Sequence, residues 1–263
     1  MAIDSASVIA AMNMPPEEAI KLLESKGLVV SDSWRDLWKT ANARAFTVAR
    51  TAGFDVLGDL RTALTDAMEA GQTFESFQKQ ITPILQKKGW WGKAIDPDTG
   101  EILKTYEGTT RPVEYGSPRR LKLIYEQNTQ TAFMAGRYKG MMDAVDTHPY
   151  WQYIAVLDSR TRPAHRALNG RVFRYDDPVW AVAFPPNGWR CRCRTRPLSA
   201  ARVKRESLTI SSGEGHIKEI EITRKSGAVD KVKQIKLPGM QKPFTPDVGW
   251  DYNAAAAYFG ESA

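Results

Sequence analysis

Asp158-Ser159-Arg160-Thr161-Arg162-Pro163-Ala164-His165, with Asn169-Gly170, Asp177-Pro178, Pro185-Pro186-Asn187-Gly188 and Cys191-Arg192-Cys193 after it, decides the fold. Pro, Gly, Arg and Trp are dense from Pro149 to Pro197, and apolar residues there do not recur at helical spacing. That pattern predicts a compact, loop-rich module whose strand signal is the apolar run Tyr153 to Leu157. Asp158, Arg160 and Arg162 on a tight turn read as a structural ion pair rather than a catalytic one, because carboxylate–guanidinium contacts commonly hold loops. Asn169, Gly170, Asp177, Asn187 and Gly188 are the turn residues of the same module. Trp151, Trp180 and Trp189 read as its core rather than as a stacking platform.

Side chains alternate along extended chain, so Cys191 and Cys193 send both thiols to one face. Two such Cα atoms lie roughly 6.5 Å apart, at the far edge of disulfide geometry, so shared metal ligation is easier than a mutual bridge. With His165 turned back by Asn169-Gly170, one imidazole and two thiolates are three soft ligands suited to zinc, and His148, Asp158 or water would be the fourth. The alternative is two small thiols packed in a core, with His165 hydrogen-bonded to a backbone carbonyl or to Asp158. Arg190, Arg192, Arg194 and Arg196 would then form a guanidinium row on the opposite face. Arg202, Lys204 and Arg205 continue it, with no acid between Asp177 and Glu206. Such a row suits phosphates along a nucleic-acid backbone; it equally suits a solvated face or an ion-pairing strip against an acidic protein.

Upstream, the chain reads as helices with clear punctuation. Pro15 and Pro16 precede Glu17 to Lys26, where Ala19, Ile20, Leu22 and Leu23 make an apolar stripe, and Gly27 is a stop signal. Asp32 or Ser33 is the predicted N-cap of a helix carrying Trp34, Leu37, Trp38, Ala41, Ala45 and Ala49 on one face, ending at Gly53. Val56 to Met68 repeats the pattern up to Gly71; Thr73 then caps Phe74 to Leu85, with a kink expected at Pro83. Ser117 and Pro118 are an N-cap and N1 pair for a long helix to about Asp143, weakened near its end by Gly136 and Gly140. Before it, the turn Asp96-Pro97-Asp98-Thr99-Gly100 marks an exposed arm. Downstream, Ile217 to Thr223 and Ala228 to Ile235 alternate apolar with polar around Lys225-Ser226-Gly227, a hairpin signature, and Pro238, Pro243 and Pro246 lead into an extended end. The predicted class is α+β: a helical N-terminal region 1–92, a turn-rich arm 93–116, a core 117–206 of long helix plus loop-rich module, and a β-hairpin with extended tail 207–263.

Of the 263 residues 42% are hydrophobic and eight are Trp, so the chain can bury a core and is not a disordered tail. Lys plus Arg number 37 against 30 Asp plus Glu, a net charge of +7, which favours polyanionic partners. With its first basic residue at Lys21 and no apolar run near the roughly 20 residues of a membrane span, neither a signal peptide nor a membrane helix is expected. Two cysteines are too few for a disulfide scaffold and agree with a reducing compartment.

The ordered set of an aspartate–arginine turn, a histidine, Asn-Gly, Pro-Pro-Asn-Gly and Cys-x-Cys resembles the head morphogenesis domain of the Mu F-like minor head proteins of tailed phages. The helix with Asn128 and Arg137 looks like the family's lead-in helix, and Gly249-Trp250-Asp251-Tyr252-Asn253 like its aromatic–Asn ending, although Ala254 follows where the family continues with Pro-Gly. The resemblance covers about residues 30 to 255, its specific motifs 150 to 200. It implies a structural head protein rather than an enzyme, made in the host cytoplasm and carried in the virion head. Its implied partners are the portal, the major capsid or scaffold proteins and packaged DNA, with no membrane. Two other classes compete. His165, Asn169 and nearby acids would suit a metal-dependent nuclease, but Mg²⁺ wants a cluster of carboxylates and not Cys-x-Cys. A free DNA-binding accessory protein would leave the helical N-terminal half without a purpose. The tail after residue 206 is too short for an appended toxin or ADP-ribosyl transferase domain.

Overall fold

Helix α1 (Pro16–Ser25) turns its Ala19, Ile20, Leu22 and Leu23 stripe inward, as the spacing predicts. The computed structural model describes residues 16–51, 53–106, 108–224 and 227–260; Pro15, Lys225 and Ser226, which punctuate the sequence, lie outside them. After α1, β1 (Gly27–Leu28) pairs in parallel with β2 (Ala45–Phe46). Between them the helix predicted from Trp34 to Ala49 does not form. Only α2 (Thr40–Arg44) is helical. The Asp36 carboxylate accepts the backbone N–H groups of Asp32 and Ser33 at 2.9 and 2.8 Å and closes a turn there, the local competition by which Asp opposes a helix. Trp34 and Trp38, predicted on one helical face, stack on each other from this loop at 5.6 Å.

Helices α3 (Phe54–Glu69) and α4 (Phe74–Lys87) follow the predicted boundaries closely. Thr73 caps α4 by accepting the Ser76 N–H, and α4 runs on through Pro83. Leu57, Leu60 and Leu64 of α3 and Phe77 of α4 are fully buried, each contributing about 2–3 kcal/mol of apolar burial. The arm holds isolated antiparallel bridges, Lys93 to Glu114, Ile95 to Ile102 and Thr105 to Pro112, rather than continuous strands. Trp90 and Val113 bury its base, while Leu103 stands exposed.

The long helix α5 (Pro118–Asp143) starts on the Ser117 cap, which accepts the Arg120 N–H at 3.3 Å, and continues unbroken past Gly136 and Gly140. A Cβ added at Gly136 would meet Glu18 Cβ at 3.5 Å, an ordinary contact, so α1 lies directly against this part of α5. Helices α3 and α4 pack against α5 as well.

The loop-rich module carries a three-stranded antiparallel sheet in the order β4 (Val172–Arg174), β3 (Tyr150–Ile154), β5 (Arg194–Leu198). The predicted strand at 153–157 thus begins three residues earlier. It stops at Ile154 because the Val156 carbonyl accepts the Asp158 N–H and the Thr161 hydroxyl, folding the chain into a turn. Short helices α6 (Pro163–Arg166), α7 (Trp180–Ala183) and α8 (Ala200–Arg205) sit in the connections. The hairpin β6 (Ile217–Thr223) and β7 (Val229–Ile235) pairs from Ile217–Ile235 to Thr223–Val229. The tail closes with α9 (Ala254–Phe259), which Asn253 caps and which packs on α2 and α5. One continuous core joins Leu23, Leu60, Phe77, Leu121, Trp151, Cys193 and Phe244. The described residues are therefore α+β, with no helix long and apolar enough to cross a membrane.

Candidate functional site

The turn residues of the module hold it by hydrogen bonds. Asn169 Oδ1 accepts the Ala155 N–H at 2.9 Å, and Gly170, at φ 80°, makes the return toward β3 that a side chain would strain. Asp177 accepts from Val179 and Gly213, pinning the segment that leads to the hairpin. Asn187, fully buried, accepts the Tyr153 hydroxyl and donates to the carbonyls of Val182 and Phe184. At Gly188 a Cβ would fall 2.3 Å from the Asp247 carboxylate, which receives Arg162 Nη2 at 2.8 Å and the Trp189 N–H at 3.2 Å. Asp247 ties the tail to this turn; a lone Asp in a Pro-rich stretch gives no sequence signal of that.

Helix α6 and the lead-in to β5 bring His165, Cys191 and Cys193 together, all buried. Both sulfurs lie 3.6 Å from His165 Nδ1. Cys193 is fixed from α5 by Gln130, which donates to its carbonyl at 3.0 Å. The contact with Cys193, followed by His165, holds the Cys191 thiol well below its ordinary range; the Cys193 thiol, bonded to Cys191 and desolvated, is pushed up. The two fourth-ligand candidates are engaged elsewhere. His148 Nδ1 meets the Thr147 hydroxyl, and both Asp158 oxygens are taken by Arg192 at 2.7 and 2.8 Å. Arg192 and the Arg160 N–H hold the Asp158 carboxyl far below the usual carboxylate range. The main ionic partner of Asp158 is thus Arg192 from outside the turn, with Arg160 exposed at 3.5 Å and Arg162 bound instead to Asp247.

Four members of the guanidinium row are spent on acids, two of them on acids distant in the chain. Arg192 pairs with Asp158, Arg190 with Glu126, and Arg196 and Arg202 with Glu206, while Arg196 also donates to Gln152. Arg194, Lys204 and Arg205 remain exposed and carry no ion pair among the described residues. Linear sequence hid this, because Glu126 and Asp158 lie far outside the basic run.

A second feature was not legible at all. A cavity of about 770 Å³ opens between the 26–50 loop, α5 and the tail, lined among others by Lys26, Trp38, Arg50, Arg120, Asn128 and Tyr252. Eight lysines and arginines border it against one acid, Glu114, so its field is strongly cationic. Trp34, Trp189 and Trp250 pack edge to face on its wall, with centroids 6.1 and 5.2 Å apart. Trp151 and Trp180 are core residues as predicted, but Trp189 is half-buried and lines this opening. Burial lowers Lys26 to about 8 and Arg120 to about 10.

Comparison with known proteins points in one direction. The family model described as phage Mu protein F like protein matches residues 58–196. A protein of Escherichia phage Mu named as a capsid assembly protein, F, is 43% identical over 254 residues, covering 95% of this chain and 56% of its own length. The FluMu F protein of a Mu-like prophage in Haemophilus influenzae is 39% identical over 232 residues, 87% of this chain and 53% of its own. The chain thus spans about half the length of the curated relatives it matches. No solved structure matches.

Proposed function

Since this chain belongs to the phage Mu protein F-like family, we propose that it is a non-enzymatic assembly protein of a tailed-phage head, acting in head morphogenesis and carried in the virion head. The observation that carries this is 43% identity along nearly all of the chain to a protein named for capsid assembly. Its partners are the portal and the major capsid or scaffold proteins, met through cationic surfaces, with packaged DNA as a further contact. The nuclease alternative fits the site poorly. His165 is 1% exposed and faces sulfur, Asn169 is held by backbone, and among the described residues His165, Cys191 and Cys193 form the only metal-competent cluster.

The test is sedimentation with purified portal and immature head shells, run beside a DNA cleavage assay in Mg²⁺, Mn²⁺ and Zn²⁺. Co-sedimentation with a head component and intact DNA is the expected result. Cleavage that disappears in His165→Ala, or normal heads formed without the protein, would refute the assignment.

For DNA contact, Arg194, Lys204 and Arg205 are the cations of the 190–205 run that carry no ion pair among the described residues and so are open to phosphate. Replacing all three by Gln is expected to flatten the plot of log affinity against log salt by roughly 0.9 for each phosphate no longer neutralised. Arg192 and Arg196 are poor choices for such a variant, because their removal takes the main partner from Asp158 and the donor from the buried Gln152. Binding should be indifferent to sequence, since backbone contacts read no base edges. An unchanged slope in the triple variant excludes this strip as a DNA site.

A further inference from the structure

We propose that His165 Nδ1, Cys191 Sγ and Cys193 Sγ bind a zinc ion, with a water in the fourth position. Nothing in the family relationship assigns a metal to these residues. With Zn–S near 2.3 Å and Zn–N near 2.05 Å, a tetrahedral centre puts sulfur and nitrogen about 3.6 Å apart. Both sulfurs stand at 3.6 Å from the same nitrogen. A neutral imidazole has one acceptor lone pair, which two thiol donors cannot share equally, whereas one metal ion satisfies all three atoms at once.

The backbone amides of Asn187 and Val156 donate to the sulfurs of Cys191 and Cys193 and fix their direction. A cavity of about 10 Å³ bordered by the three ligands and Thr161 has room for roughly one water, the size of the missing ligand. His148 and Asp158 are bonded elsewhere, so neither competes for that position. The ion would join α6 to the lead-in of β5, across a module with few regular elements to hold it. Binding displaces the remaining thiol protons to solvent, and its free energy adds to folding.

The experiment uses the full chain purified without chelator. Metal analysis is expected to give about one zinc per chain, and cobalt exchange the thiolate charge-transfer and intense visible bands of a tetrahedral sulfur site. Removal of the metal should lower the melting temperature by roughly 5 °C or more. Cys193→Ser and His165→Ala should lose the ion. If these variants fail to fold, His165→Cys keeps the proposal open to refutation: a third soft ligand retains zinc and shifts the cobalt spectrum, while a site that only packs gains nothing from it. Metal-free protein whose melting is indifferent to chelator and which takes up no cobalt overturns the proposal. Stoichiometric zinc in folded Cys193→Ser overturns the ligand set.

Discussion

Trp151→Ala is expected to destabilise the protein by about 3–5 kcal/mol, the range for emptying a buried large aromatic site. Trp151 is the second residue of β3 and fully buried. It packs against the rings of Tyr138 from α5, Tyr175, Trp180 and Phe184, with centroids between 5.6 and 6.4 Å away. Removing it takes the common partner from four rings that come from the long helix and from the connections of the module. Domains of this size have about 5–15 kcal/mol in total, so the variant should melt roughly 10 °C lower or fail to accumulate. Trp151→Phe separates packing from polarity. The indole N–H is buried without a partner among the described residues, so deleting it offsets part of the reduced ring packing, and the cost should stay under about 2 kcal/mol. Chemical denaturation of the two variants checks both values; equal losses in the two would mean that the ring cluster does not carry the module.

Where sequence and structure agree, the deciding signal was local. Ser117-Pro118, Thr73 and the Ile217–Ile235 alternation each act within one element, and each boundary lands within a residue or two. The helix predicted at 34–49 failed because its apolar spacing serves tertiary contacts instead: Trp34 and Trp38 reach the tail and Trp189 from a loop. Period alone cannot tell a helix face from aromatic residues gathered by distant partners.

The site divides along the same line. Cys191 and Cys193 are two residues apart, so their shared face follows from strand geometry, and His165 was the one histidine inside the motif. What neutralises the arginines was invisible, since Asp158 and Glu126 reach Arg192 and Arg190 from distant parts of the chain. Asp251 is another such case. It is buried, accepts Lys39 at 3.0 Å and the Lys233 N–H at 3.0 Å, and so ties the N-terminal loop and the hairpin to the tail. Within the sequence it was only one letter of an aromatic–Asn ending.

Lys26→Met is expected to stabilise the protein near neutral pH, by up to about 3 kcal/mol. Lys26 lies just after α1, is 6% exposed and has no ion pair among the described residues; its side chain borders the cationic cavity. Burial lowers it from 10.5 to about 8. A lowered lysine means that the unfolded chain holds the proton more tightly, so between these two values the unfolded state binds more protons and stability rises with pH. Below about 8 the lysine is charged in both states, and the folded protein bears the whole desolvation cost; above about 10.5 the cost is gone. Methionine fills similar volume with no charge to desolvate. The quantity to measure is the difference in unfolding free energy between wild type and variant across roughly pH 7 to 11, which cancels the contribution of buried tyrosines such as Tyr153 and Tyr252. That difference should shrink through the window and vanish at its upper end; a constant difference would mean that Lys26 is hydrated through the cavity.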